Sequence, residues 1–145
     1  MYVSTHVSKT EPQHQQENAT TARRFHMEIF RKRKFAVADE ILAPDFVLRN
    51  PMLSSEFTHG PAGVKKFALV VADSAPEYEI IHHDTISNKD MVLIRWTFSG
   101  ILKKELLCIP SSEKPVTITG FDLFRIGANG KIAEMWQQFN VGNWQ

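Results

Sequence analysis

Apolar positions in the first half of the chain recur with the three-to-four-residue step of helices, whereas after Pro76 they alternate as in strands. Residues 1–18 are polar and carry neither pattern, so a flexible N-terminal arm is expected there, with His6 and His14 in solvent. From Ala19 onward Ala22, Phe25, Ile29 and Phe30 form one helical face, and Arg23, Arg24, Glu28, Arg31 and Lys32 the other. His26 falls inside the apolar stripe. A short second helix carries Val37, Ile41 and Leu42 inward and ends near Ala43, because the residue before Pro44 is pushed out of the α region. Phe46–Arg49 predicts a short strand closed by Asn50-Pro51. Gly60-Pro61 opens a third helix with Val64, Phe67, Ala68 and Val71 on its apolar face, and Ser74-Ala75-Pro76 closes it.

Five β segments are predicted beyond Pro76, over 77–87, 90–100, 102–109, 115–126 and 131–140, the last two joined by a hairpin loop at Gly127–Gly130. Helices followed by strands predict an α+β fold, with three N-terminal helices packed in a curved, mostly antiparallel sheet that encloses one cavity. Residues 19–145 are expected to form a single domain.

Alternation within the strands selects the polar residues that face inward. Asp122 shares a face with Ile118, Gly120 and Phe124, where a carboxyl group is costly to ionise. Gln137 is the polar member of a face made with Ala133, Met135 and Phe139. Arg95 shares a face with Met91, Leu93 and Thr97, opposite the wholly apolar Val92, Ile94, Trp96 and Phe98; it either orients a carboxylate or sits in a surface pair. Of the adjacent His82 and His83 at most one points inward, and neither is assigned a role. His59 is expected at the start of the third helix, and Trp136 in the core or a dimer contact.

Composition adds exclusions. The formal net charge of +1 offers no basic field for nucleic acid, and no stretch is long and apolar enough to span a membrane. The one cysteine, Cys108, lies in the apolar run 106–109 and is expected to be a small buried hydrophobe. No Cys/His spacing resembles a metal site, and neither a metal nor an organic cofactor is expected. No apolar signal segment opens the chain, so a cytoplasmic setting is expected.

Asn50-Pro51, then His59-Gly60-Pro61-Ala62-Gly63, Arg95–Gly100, Cys108-Ile109-Pro110, Gly120–Ile126 and Gly130–Trp136 occur in an order that resembles the SnoaL-like polyketide cyclases. These belong to the nuclear-transport-factor-2-like (NTF2-like) superfamily, with ketosteroid isomerase and limonene-epoxide hydrolase. The resemblance implies the cone-shaped fold of that superfamily and a homodimer. It sets His26 at the position of the isomerase's oxyanion-holding tyrosine and Asp122 at its oxyanion-hole aspartic acid. Asn50 falls at that enzyme's general base, and Arg95 at the epoxide hydrolase's arginine. Gln137 and Thr97 stand where the hydrolase carries aspartates, so neither mechanism transfers intact.

The expectation is therefore a cofactor-independent cyclase, isomerase or dehydratase acting on a small apolar carbonyl compound such as a polyketide or terpenoid. His26 and Asp122 form its acid/base couple. Asn50, Arg95 and Gln137 orient the substrate, and Phe30, Phe124 and Met135 are the apolar residues expected to touch it. The alternative is a non-catalytic module of the same shape that binds a small ligand or docks a protein.

Overall fold

The computed structural model describes residues 8–144; His6 lies outside them. Helix α1 runs Glu11–Arg24, so it starts eight residues before the apolar pattern does and takes in residues 11–18 of the expected arm. A capping box explains the early start: the Thr10 hydroxyl accepts the Gln13 N–H, and the Gln13 side chain accepts the Thr10 N–H. This first stretch is solvated, and its first buried residue is Ala19, which is why hydrophobic periodicity does not register it.

From Phe25 to Arg31 the chain continues as a π-helical turn, in which the Lys32 N–H bonds the Met27 carbonyl five residues back. The wider turn buries Phe25, His26, Ile29 and Phe30 together. Helix α2 (Val37–Ile41) passes directly into β1 (Leu42–Arg49). That strand begins four residues earlier than expected and includes Pro44, which an edge strand tolerates because its N–H need not join a ladder. Helix α3 spans Gly60–Ser74, as its proline and apolar face predict.

Strands β2 (Tyr78–Asn88), β3 (Met91–Gly100), β4 (Val116–Ile126) and β5 (Ile132–Val141) complete one sheet of order β1-β5-β4-β3-β2. β1 lies parallel to β5, and the other neighbours are antiparallel. The predicted strand over 102–109 is not one. β3 and β4 pair with each other along ten residues, which leaves the connecting segment no partner in the sheet. It folds into a tight turn in which Leu106 and Ile109 exchange both backbone hydrogen bonds. Leu107 and Cys108 occupy the turn with φ of 52° and 66°. Cys108 is exposed at its tip and is not a buried hydrophobe.

The inner face of the sheet meets the helices over one core that includes Phe25, Ile29, Phe46, Val64, Ile94 and Phe124. A bulge in β2 between His82 and Asp84 changes which residues face that core. His82 pairs with Trp96 on the inner side, while Asp84 is moved to the outer side opposite Arg95.

Candidate active site

Asp122 is fully buried on β4, with Ile94 and Gln137 as its cross-strand neighbours. Gly120, two residues away on the same face, leaves the space that the Trp96 indole fills. A Cβ there would stand 2.5 Å from Trp96 Cζ2 and 2.7 Å from the Gln138 carbonyl oxygen. Above the carboxyl group lies His26, carried in by the π-helical turn. Its Nε2 is 2.5 Å from Asp122 Oδ2, and its Nδ1 is 2.7 Å from His82 Nε2.

The network extends the other way. The Met52 backbone N–H donates to Asn50 Oδ1, Asn50 Nδ2 donates to Gln137 Oε1, and Gln137 Nε2 donates to Asp122 Oδ2 at 3.4 Å. A backbone N–H cannot accept, so it fixes the direction of every amide after it. Asp122 Oδ2 is thereby an acceptor toward Gln137, and with Asp122 as a carboxylate the proton between it and His26 sits on Nε2. In a neutral His26 the lone pair lies on Nδ1, where the His82 Nε2–H meets it. His82 is held neutral: burial, then the proximity of His26, Arg23 and His83, pushes its pKa down to about 4.

His26 and Gln137 form part of the wall of a cavity of about 70 Å³. The rest of the wall is mainly apolar, with Phe25, Phe30, Phe67, Phe98 and Phe139 around it and Leu106 and Leu107 closing one side. Asn50 reaches this cavity only through Gln137, which also lines a second hollow on the β1–β5 side, with Asn50 and His59. His59 precedes α3 and bonds the Thr58 hydroxyl, as a helix-start residue does. Among the described residues no group of three or more His, Cys, Asp or Glu side chains is placed to hold a metal ion.

The structure thus brings together His26, Asp122, Gln137, Asn50 and Phe30. Three expected contacts differ. Phe124 and Met135 are fully buried in the core behind the cavity wall, with Phe124 edge-on to His26 at 6.0 Å between ring centroids. Arg95 is on the outer face of the sheet, where its Nε donates to Asp84 Oδ2 at 2.7 Å and its guanidinium lies 5.4 Å from the Trp144 ring centroid. It is the surface pair, because the apolar face of β3 is the one that turns inward.

Three further residues carry no assignment from sequence. His82 follows Tyr78 and Ile80 at the two-residue step of an inward face, a signal available in the sequence. Tyr78 and Trp96 count as apolar core by type, yet Tyr78 Oη and Trp96 Nε1 are buried without a partner, as is Asp122 Oδ1.

A family model for SnoaL-like polyketide cyclases matches residues 20–143. No curated protein sequence matches the chain. Among solved structures, TsrD from Streptomyces laurentii is similar, with a TM-score of 0.72 and 20% identity over 85% of this chain and 88% of that one. A protein proposed as a SnoaL-like polyketide cyclase from a Jannaschia species gives a TM-score of 0.70 and 18% identity over 92% of each chain. An epoxide hydrolase from M. tuberculosis, described as similar to limonene-epoxide hydrolase, gives 0.65 and 16% over 87% and 84%. At these identities the likeness shows the shared fold, three helices against a five-stranded mixed sheet in the NTF2-like cone.

Proposed function

The chain belongs to the SnoaL-like polyketide cyclase family, and from that premise we propose that it is an acid/base enzyme that moves protons beside a carbonyl group. Its substrate is a small apolar metabolite of polyketide or terpenoid type, and the reaction is a cyclisation, isomerisation or dehydration. The observation that carries this reading is the His26–Asp122 couple, 2.5 Å apart, at the wall of an otherwise mainly apolar cavity. Idle buried polar pairs are costly, and such a couple is suited to general acid/base work.

The roles follow from the direction of the hydrogen bonds. His26 Nδ1 is the base, and its lone pair meets the His82 N–H. Substrate takes that place. The C–H bond α to the carbonyl breaks, its proton bonds to Nδ1, and the electron pair moves to the carbonyl oxygen as an enolate. Asp122 receives the Nε2–H throughout and stabilises the imidazolium that forms. The proton then returns to another carbon, which isomerises the substrate. If the enolate carbon first attacks a second carbonyl, the proton goes to the new alkoxide, which closes a ring. Gln137, held by Asn50, keeps the carboxyl group oriented. Arg95 has no part.

The test is deuterium uptake at the α-carbons of β-tetralone in heavy water, followed by NMR beside calorimetric binding. The unmodified protein is expected to accelerate exchange over buffer. Asp122→Asn should lower that acceleration about 10²-fold or more, because an amide cannot stabilise the imidazolium that the base His26 becomes, with β-tetralone affinity unchanged. Binding without accelerated exchange for enolisable ketones and lactones would identify a ligand-binding module instead.

A further inference from the structure

We propose that His82 is the port through which the buried His26–Asp122 couple exchanges protons with solvent. His26 meets substrate, and His82 relays the proton between His26 and water. This rests on the acid/base reading of the site and adds the route by which His26 is reset.

Exposure rises along the hydrogen-bonded chain. Asp122 is fully buried, His26 is 5% exposed and His82 is half-buried. His26 meets the carboxyl group through Nε2 at 2.5 Å and His82 Nε2 through Nδ1 at 2.7 Å. The remaining nitrogen of His82, Nδ1, has no hydrogen-bond partner among the described residues and is not sealed from solvent. His82 does not line the cavity, so this nitrogen is open to water away from the substrate. The β2 bulge carries Asp84 to the outer face opposite Arg95, so the carboxylate two residues on does not hold a proton on His82.

An imidazole passes a proton by taking it on one nitrogen and releasing it from the other. Inward, a proton from water bonds to His82 Nδ1, and the Nε2–H moves to the lone pair of His26 Nδ1. Outward, His82 meets the protonated His26 as its Nδ1–H tautomer. The proton on His26 Nδ1 then moves to His82 Nε2, and the His82 Nδ1–H leaves to water. Substrate and His82 use the same nitrogen of His26, so the relay runs when substrate has withdrawn from it. Burial, then the proximity of His26, Arg23 and His83, holds the pKa of His82 at about 4. A delivered proton therefore settles on His26 beside the carboxylate and not on the relay.

The experiment follows loss of deuterium from α-deuterated β-tetralone in ordinary water by NMR, with the unmodified protein, His82→Ala and His82→Gln. Each variant should lower the accelerated loss about tenfold, less than removal of a group that touches substrate. Free imidazole should restore His82→Ala in proportion to its concentration, because it fills the vacated place. It should leave His82→Gln slow, because the amide fills that place. Glutamine also keeps a donor for His26 Nδ1, so an unimpaired rate in His82→Gln would show a positioning role alone and overturn the proposal. So would His82→Ala at the parental rate or without rescue. A second measurement needs no turnover. In protein with isotope-labelled histidine, the N–H between the two imidazoles should exchange with water faster than the N–H that His26 gives to Asp122, and equally slow exchange of both would overturn the relay. Fast exchange there without accelerated deuterium loss keeps the relay and removes the enzyme reading. Accelerated loss that both variants retain does the reverse.

Discussion

The two faces of the sheet each meet a hydrogen-bonded acid–base pair of similar length in very different settings. Inside, His26 and Asp122 are 2.5 Å apart with side chains 6% and 0% exposed. Outside, Arg95 and Asp84 are 2.7 Å apart with side chains 30% and 56% exposed. Water competes for the outer pair and screens it, so it contributes little. The inner pair has no such substitute, and each member depends on the other for its hydrogen bond. A hydrogen bond's length therefore says little about what its loss does; what surrounds it decides.

The strongest way to break this contrast is Asp122→Ala. It leaves His26 Nε2–H and Gln137 Nε2 without their acceptor in a buried site, and about 3–5 kcal/mol of stability should be lost. Urea unfolding measures this, and a loss below about 1 kcal/mol would mean that water reaches the site.

A second, smaller effect concerns the end of the network. His82 titrates near 4 in the fold against about 6.5 in an unfolded chain, so the unfolded state binds the extra proton first. Stability should be unaffected by this residue above pH 6.5 and fall as the pH drops from 6.5 toward 4. His82→Gln should flatten that part of the acid limb in melting curves taken across the window, and an unchanged slope would show that His82 is not the source. The smallest effect belongs to the outer face. Arg95→Ala should change stability by about 0.5 kcal/mol or less and leave proton exchange intact. A loss of turnover would mean that the guanidinium reaches the cavity from the wrong side of the sheet.

How much of this was legible in the sequence varies by residue. Asp122 and Gln137 were readable because β4 and β5 alternate regularly around them. Arg95 was half readable: its alternation opposed it to the apolar face, but left a carboxylate-orienting role open beside the surface pair, and the resemblance favoured the former. His82 was readable from its two-residue step after Tyr78 and Ile80, whereas the outward turn of Asp84 was hidden by the bulge, since alternation alone cannot tell where one residue is inserted. Tyr78 and Trp96 were hidden by their bulk, which classes them as core although each carries a polar atom. The early start of α1 depends on Thr10 and Gln13 capping a solvated turn, a local bond that leaves no hydrophobic trace. The segment 102–109 has the composition of a strand but no neighbour to pair with, and only tertiary structure reveals that.

The π-helical turn at Phe25–Arg31 makes the length of the first helix a fixed quantity. Removing one residue there would restore the tighter winding and rotate everything upstream by about 100°, the angle per residue of an α-helix. Ala19 and Ala22 would leave the interior while the segment after the deletion stayed seated. The imidazole is thus aimed by a surplus residue in the coil, and changes of length in this stretch should be tolerated far less than changes of side chain.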